Sequence, residues 1–400
     1  MQQEFYYIIV GNGIAGLSAA EAIRQNDAYR PIAVISDENY LTYSRLVLSH
    51  HLGENILPET LYIHPQSWYD EKNISMILNT KVLGIDTDGK VLKTDKGDVN
   101  YTKLIIASGS YCFIPPVEGS DKKGVFALRG VDDLIEINHA IKQSDKAIVI
   151  GGGLLGLESA WGIKQKGLDV TVLEFFPRIL PRQMDDEGSI ILKGIIENLG
   201  IELYLGVEAA KISGNDKADG VVLKDGRSIP GDFVLFSSGV RPHVEFAKNA
   251  PISINKGIIV DEYMRTNAPD VYAAGDVAEH NGAIPAIWPI ANAQGKIAGI
   301  NAAGGHEKYK TIPPSNTLKV MGIDCFSVGD INNQDNRFKE IKHVSDTEYY
   351  KLFLDGTRLA GAIMIGDISK SMRLRSLIEQ GKDMSDYFAS DNAKEIIDRL

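Results

Sequence analysis

An α/β fold built on parallel sheets is expected from three features of this chain. A glycine cluster, preceded by an apolar run and followed by a small-residue or leucine-rich stretch, occurs twice. Each of these units ends in a further apolar run closed by glycine. Beyond residue 311 the pattern changes to alternating strands and a charged helix. A strand buried on both faces reads as a continuous apolar run, whereas a strand with one wet face alternates. The expected architecture is two Rossmann-like halves plus a small α+β C-terminal domain. The first half is drawn from 1–112 and 241–310, the second from 113–240 and the last from 311–400. Four hundred residues suit two or three such cores.

The first cluster, GNGIAG, comprises Gly11, Asn12, Gly13, Ile14, Ala15 and Gly16; it follows FYYIIV (5–10) and opens a helix expected over 17–25. Gly11 permits the tight turn, Gly13 lets the backbone approach a pyrophosphate, and Gly16 lets helix and strand pack closely. A diphosphate placed there meets the unpaired N–H groups and the dipole of a helix N-terminus, which favour negative charge without a lysine. The next run, PIAVI (31–35), leads to Asp37 and Glu38. They lie about twenty positions after Gly16, where a carboxylate meets a ribose 2′-hydroxyl. Asp88-Gly89 and Lys96-Gly97 signal hairpins, and LIIASG closes the unit at Ala107, Ser108 and Gly109.

The second cluster, GGGLLG, repeats the arrangement with Gly151, Gly153, Leu154, Leu155 and Gly156 after KAIVI (146–150), before a helix expected over 157–165. VTVLE then ends at Glu174, whose carboxylate accepts from a ribose diol and repels a 2′-phosphate, so NAD is expected over NADP. Arg178 either softens that preference or is a solvated side chain. Asp225-Gly226 marks another tight turn, and FVLFSSG closes this unit at Gly239. The element YAAGD, with Gly275 and Asp276, and a small-residue helix over 290–303 return to the first half.

Two dinucleotide sites in one chain pose a chemical question, because two nicotinamides have nothing to exchange without a redox centre. Cys112 and Cys325 are the only cysteines and stand far apart, which excludes a C-x-x-C pair, a four-cysteine iron–sulfur site and a disulfide framework. One site is therefore expected to hold a flavin, which accepts hydride as an electron pair and releases electrons singly. FAD and NADH are the cofactors expected, with Asp276 facing a ribitol hydroxyl.

Other classes find no support. With 42 basic and 53 acidic side chains the net charge is −11, a poor match to nucleic acid. The apolar runs are far shorter than the roughly 20 residues of a membrane helix, and the N-terminus lacks a basic region and cleavage site, so a cytoplasmic protein is expected. His64, His139 and His343 are isolated and His50-His51 lacks further ligands, so no metal is expected. Neither a G-x-S-x-G elbow nor a Walker lysine occurs.

The first cluster, the closing ASG, the second cluster and YAAGD, in that order over about residues 5–305, resemble the glutathione-reductase-like superfamily of two-dinucleotide-binding flavoproteins. DENYLTYSRLVLS (37–49) is similar to the Y-x-R-x-x-L-S element of NADH-dependent nitrite reductases and of rubredoxin and ferredoxin reductases. IPPSNTLKVMGIDCFSVGDI (312–331) with AGAIMIGD (360–367) resembles the C-terminal domain of the clostridial NADH:rubredoxin oxidoreductase family. The resemblance implies Asp37 at the FAD adenosine ribose, Arg45 at the pyrophosphate or flavin edge, Val82 at adenine through its backbone, and Asp276 at the ribitol. Thiol-dependent members carry a cysteine near Tyr43-Ser44, which this chain lacks, so a disulfide reductase or peroxidase is not implied. Where relatives have a lysine five positions after the arginine, this chain has His50.

Glu158 resembles a glutamate that faces the nicotinamide or a cation beside the flavin; its plainer reading is a first-turn helix acid favoured by the dipole. Pro289 opens a helix whose N-terminus is expected at the flavin pyrimidine edge. Lys319 is a candidate for the same region or an edge-strand lysine in solvent. The implied function is hydride transfer from NADH to FAD, with the nicotinamide stacked on the isoalloxazine, then single-electron transfer to a carrier such as rubredoxin. Lys370, Arg373 and Arg375 are a candidate carrier-docking cluster or a solvated helix face. A flavin subunit feeding a nitrate or nitrite reductase, an NADH oxidase, and a non-catalytic flavin or NAD redox sensor remain as alternatives, and the oligomeric state is open.

Overall fold

The run FYYIIV lies within the strand Gln3–Val10, the centre of a seven-stranded sheet, because it pairs in parallel on both sides, with Ile32–Ile35 and with Gly97–Ile106. The computed structural model describes residues 3–320, 322–333, 335–387 and 390–400. The chain divides into two compact units: 1–47, 56–111 and 240–311 form the first, and 48–55, 112–239 and 312–400 the second.

In the first unit the parallel registers Val10↔Ile35, Val10↔Ile106 and Ala273↔Ile106 align the carboxyl ends of four strands. Gly11, Ser36, Ala107 and Ala274 thus leave the sheet at one edge, the place where open α/β sheets bind ligands. The hairpins signalled by Asp88-Gly89 and Lys96-Gly97 form between Val82–Asp86, Val91–Thr94 and Gly97–Ile106. Helices Ile14–Asn26 and Trp288–Ala302 cover the sheet and touch through backbone, since a Cβ added at Gly295 or Gly299 comes within 2.2 Å of the Ala15 carbonyl or 2.4 Å of the Ala19 carbonyl.

The second unit repeats the plan in a five-stranded parallel sheet, where Ile150 pairs with Leu173 and with Phe236. Gly151, Glu174 and Ser237 therefore share its carboxyl edge. An antiparallel layer of Ala209–Ser213, Gly220–Leu223 and Ser228–Pro230 adjoins it. The C-terminal part is a five-stranded antiparallel sheet carrying helices Ser371–Gln380 and Ala393–Asp398, with Phe326, Leu352, Met364, Leu374 and Ile396 in its core.

Several boundaries differ from the sequence expectation. Both glycine-cluster helices start earlier, at Ile14 and Leu154, because the end of each cluster is already helical behind a glycine N-cap. The alternating run over 318–328 is a hairpin rather than one strand, turning at Gly322, whose φ is +67°. Strand Lys339–Val344 was not anticipated: three of its six residues are charged, as suits a sheet edge. Residues 48–55, grouped with the first half on sequence grounds, belong to the second unit, where Asn138 accepts from Gly53 N at 2.6 Å and donates to the carbonyls of His51 and Glu54. Among the described residues no helix is long and apolar enough to cross a membrane.

Candidate functional site

Each glycine cluster forms a cradle whose three glycines act differently. At Gly11, φ is +110° and an added Cβ falls 2.1 Å from the Ala107 carbonyl oxygen; at Gly16 it falls 2.1 Å from the Gly11 oxygen. Both contacts forbid a side chain. At Gly13 an added Cβ meets nothing within 4 Å, so the space in front of this loop is open. The second cluster matches: 2.3 Å from the Ser237 oxygen at Gly151, 1.9 Å from the Gly151 oxygen at Gly156, and open space at Gly153.

The two helices that start here have no side-chain cap and no acidic residue in the first turn. Elsewhere, Asp185 caps Asp186–Asn198 and Asn392 caps Ala393–Asp398. An uncapped start leaves N–H donors without intrahelical partners facing open space, a fit for an anionic diphosphate. The arrangement fits a dinucleotide in each unit.

In the first unit, Asp37 is exposed, whereas Glu38 accepts from the Tyr43 hydroxyl and from Arg45 Nη2, both at 2.8 Å. Arg45 also donates to the Tyr43 hydroxyl at 2.7 Å. Burial opposes the Arg45 charge, but Tyr43, Glu38 and Asp276 hold the guanidinium above its ordinary value. Glu38 thus organises Arg45, and Asp37 is the carboxylate left facing water. Asn79 N and Thr80 N donate to the Glu38 and Ser36 carbonyls, bringing the segment that leads into Val82 beside the acidic loop. Asn12 is taken up by the segment that follows strand Ile32–Ile35, donating to the Tyr40 carbonyl at 2.8 Å and accepting from Thr42.

Ala107 N donates to the Val10 carbonyl, Ser108 Oγ to the His243 carbonyl, and His243 N to Gly109, so the closing ASG is locked in place. Gly275, at φ +81°, donates to Gln294 Oε1 at 2.9 Å, and its absent Cβ leaves room for Ala15. Asp276 accepts from Ser110 Oγ at 2.7 Å. Pro289 is the second residue of Trp288–Ala302, a helix with no side-chain cap and no first-turn acid.

In the second unit Glu174 is buried and braces the glycine loop: Oε2 accepts from Gly152 N at 2.5 Å and Oε1 from Phe176 N at 2.8 Å. Arg178 pairs with Asp186 and donates to the Pro181 carbonyl, so it is a fixed rather than a freely solvated side chain. Leu154 lines a narrow apolar seam with Met184, Leu318, Cys325 and Phe326, and Leu155 is half-buried. Gly239, at φ +89°, accepts from Phe113 N.

Glu158 is the fifth residue of Leu154–Lys164, so the first-turn reading of it fails. Burial pushes its carboxyl above the ordinary value, opposed by a 2.9 Å hydrogen bond from Ser49 Oγ and by His50. Lys319 lies on the edge strand Ser315–Val320, with its side chain outside the described residues. In the C-terminal cluster Arg375 pairs with Glu379 at 2.7 Å, while Arg373 is exposed. Among the described residues no three metal-ligating side chains converge.

Sequence reasoning missed Ser49, Ser110 and Gln294. Gln294 had a legible signal, a polar residue in the small-residue stretch IANAQG, and Ser49 ends the Y-x-R-x-x-L-S element; Ser110 had none.

Known proteins share this arrangement. Residues 5–295 match the pyridine nucleotide-disulphide oxidoreductase family, and residues 314–382 the rubredoxin NAD+ reductase C-terminal domain. A nitrite reductase [NAD(P)H] of Bacillus subtilis is 36% identical over 95% of this chain; the chain spans about half of that relative, 48%. The NADH-rubredoxin oxidoreductase of Clostridium acetobutylicum is 33% identical over 96% of this chain and 97% of its own. A crystal structure of the NADH:rubredoxin oxidoreductase from that organism covers 100% of both chains at 32% identity with a TM-score of 0.83. Two uncapped glycine cradles and these likenesses lead to one conclusion: the chain belongs to the pyridine nucleotide-disulphide oxidoreductase family, whose members bind FAD and use NADH.

Proposed function

We propose that this chain is an FAD-dependent oxidoreductase that takes hydride from NADH and passes single electrons to a small protein carrier, with rubredoxin favoured, in the cytoplasm. The observation that carries the reading is the pair of dinucleotide cradles in a chain whose two cysteines, Cys112 and Cys325, form no disulfide, Cys325 being buried with its thiol pushed up to about 12 by burial. Bound FAD supplies the change from a two-electron donor to a one-electron acceptor.

The chain's own residues hold and orient. The Gly11–Gly16 loop receives the FAD diphosphate, Asp37 the adenosine ribose, Val82 the adenine through its backbone, Arg45 the pyrophosphate and Asp276 the ribitol. The Gly151–Gly156 loop receives the NADH diphosphate, and Glu174 accepts from its ribose. Glu158, raised by burial, accepts from Ser49 Oγ at Oε2, which fixes the carboxyl group. Positioning of this kind is worth several orders of magnitude in rate. Residues 1–47, 56–111 and 240–311 are assigned to FAD, 48–55 with 112–239 to NADH and 312–400 to the carrier, with Lys319 and the Arg373 surface as carrier-side candidates.

Stopped-flow mixing with NADH tests the first half-reaction: flavin absorbance is expected to bleach faster than about 1 s⁻¹, within the usual turnover range. Steady-state rates with rubredoxin, with oxygen, and with nitrite plus a partner subunit test the second. Fast oxygen consumption with negligible rubredoxin reduction rejects the carrier assignment. The 36% identity to a nitrite reductase about twice as long supports a second reading, a flavin module feeding a nitrate or nitrite reductase.

A further inference from the structure

We propose that Phe175 and Phe176 form a stacking platform for the adenine ring of the dinucleotide in the second unit, a reading that rests on the NADH assignment above. Both are large apolar side chains left in water, 62% and 50% exposed. Their ring centroids lie 5.4 Å apart at an interplanar angle of 87°. One ring stands edge-on to the other, so the pair offers a flat face and a wall.

The pair is held at a fixed distance from the phosphate cradle. The Glu174 carboxylate bridges the two, taking Gly152 N on one oxygen and Phe176 N on the other. Gly206 N closes the far side with a 2.9 Å bond to the Phe176 carbonyl. An exposed aromatic pair on a mobile loop pays an ordering cost on binding; here the N–H and the carbonyl of Phe176 are both already hydrogen-bonded.

The direction of the ligand identifies the occupant. With its diphosphate over Gly153 and its adenosine ribose at the carboxyl edge marked by Glu174, the next group along the dinucleotide is adenine. The residues that follow Glu174 are these two phenylalanines. A base stacks on an aromatic face through its π-system and needs no hydrogen-bond code. Two rings alone are also much smaller than the apolar patch of several hundred Å² that marks a protein contact.

The test uses the full chain with its flavin. Titration calorimetry with 5′-AMP is expected to show Phe175→Ala weakening binding about tenfold and Phe175→Trp restoring it. In steady state, the ratio of kcat/KM for NADH to that for reduced nicotinamide mononucleotide, which has no adenine, is expected to fall by the same factor. Unchanged 5′-AMP affinity in Phe175→Ala overturns the proposal, as does an equal loss with both nicotinamide donors. So does an effect confined to the protein carrier. If 5′-AMP binds in a Phe175-dependent way but NADH fails to bleach the flavin, the platform stands and the NADH oxidoreductase assignment falls.

Discussion

Ser49 donates a 2.9 Å hydrogen bond to Glu158, joining the segment that follows Arg45 to the helix that starts at the second glycine cradle. Ser49 is 1% exposed, so this bond is shielded from competing water. Burial raises the Glu158 carboxyl above its ordinary value, and Ser49 and His50 oppose that rise.

A raised carboxyl binds its proton more tightly in the folded than in the unfolded chain. Its ionisation therefore destabilises the fold as pH rises through the folded pKa. Glu158→Gln is expected to be more stable than wild type at pH 7–8, with the difference vanishing as pH falls below about 4.3. Ser49→Ala acts in the opposite sense and costs about 1–2 kcal/mol at neutral pH. Urea unfolding from pH 4 to 8 measures both; a pH-independent gap for Glu158→Gln contradicts this account.

Two glycines of one cradle are expected to fail in opposite ways. Gly11→Ala drives a Cβ into the Ala107 carbonyl at a φ of +110° and destabilises the fold by several kcal/mol. Gly13→Ala finds open space, so the chain folds and instead loses flavin affinity, about tenfold or more. Gly151→Ala and Gly153→Ala repeat the contrast, the second reading out as a raised KM for NADH. Thermal melts and the ratio of flavin to protein absorbance separate the two effects. Equal melting losses for Gly11→Ala and Gly13→Ala contradict the assignment of roles.

Lys351 is 7% exposed and pairs with Asp185 at 2.8 Å and with Glu340 at 2.9 Å, while the Tyr349 hydroxyl donates to Asp185 at 2.6 Å. Burial acts to raise the Asp185 carboxyl, but Lys351, Tyr349 and Gly188 N outweigh it and hold it below the ordinary range. A depressed carboxylate contributes stability that is complete above its unfolded pKa, near 3.9, and is lost as pH falls through the lower folded value. Asp185→Asn is expected to cost about 3–5 kcal/mol at pH 7 by leaving Lys351 undercompensated, and progressively less in acid. Denaturant midpoints at pH 7 and at several pH values below about 3.9 check this. A constant difference between Asp185→Asn and wild type across that range rules it out.

Neither cysteine is expected to take part in turnover. With its thiol pushed up to about 12, Cys325 is expected to resist alkylation at pH 8 in the native chain and to react on unfolding. The Cys112→Ala/Cys325→Ala variant is expected to keep NADH-dependent carrier reduction within about threefold of wild type. Loss of turnover in a variant that still folds and binds flavin points to a thiol route instead.

The cradles were legible in the sequence because their signals are local. An apolar run before glycines at fixed spacing states burial, a left-handed turn and a close helix contact within a few residues. The hairpin turns and the strands 349–355 and 358–365 were legible for the same reason. Strand Lys339–Val344 was not, since a charged edge strand carries no burial pattern of its own. Glu174 shows the limit of a motif: its position was foreseen, but its brace on Gly152 was not.

The sequence by itself determined the two-fold α/β plan, the glycines that no side chain can replace, and the lack of a C-x-x-C pair. Those properties depend on backbone dihedrals and on burial with a period of a few residues. Only the tertiary structure decided which polar groups meet: Ser49 with Glu158, Ser110 with Asp276, Asp185 with Lys351. Each of these pairs is more than a hundred residues apart in the chain. A polar side chain is compatible with many partners, and the choice among them is made when packing of the apolar surfaces closes the long loops between them.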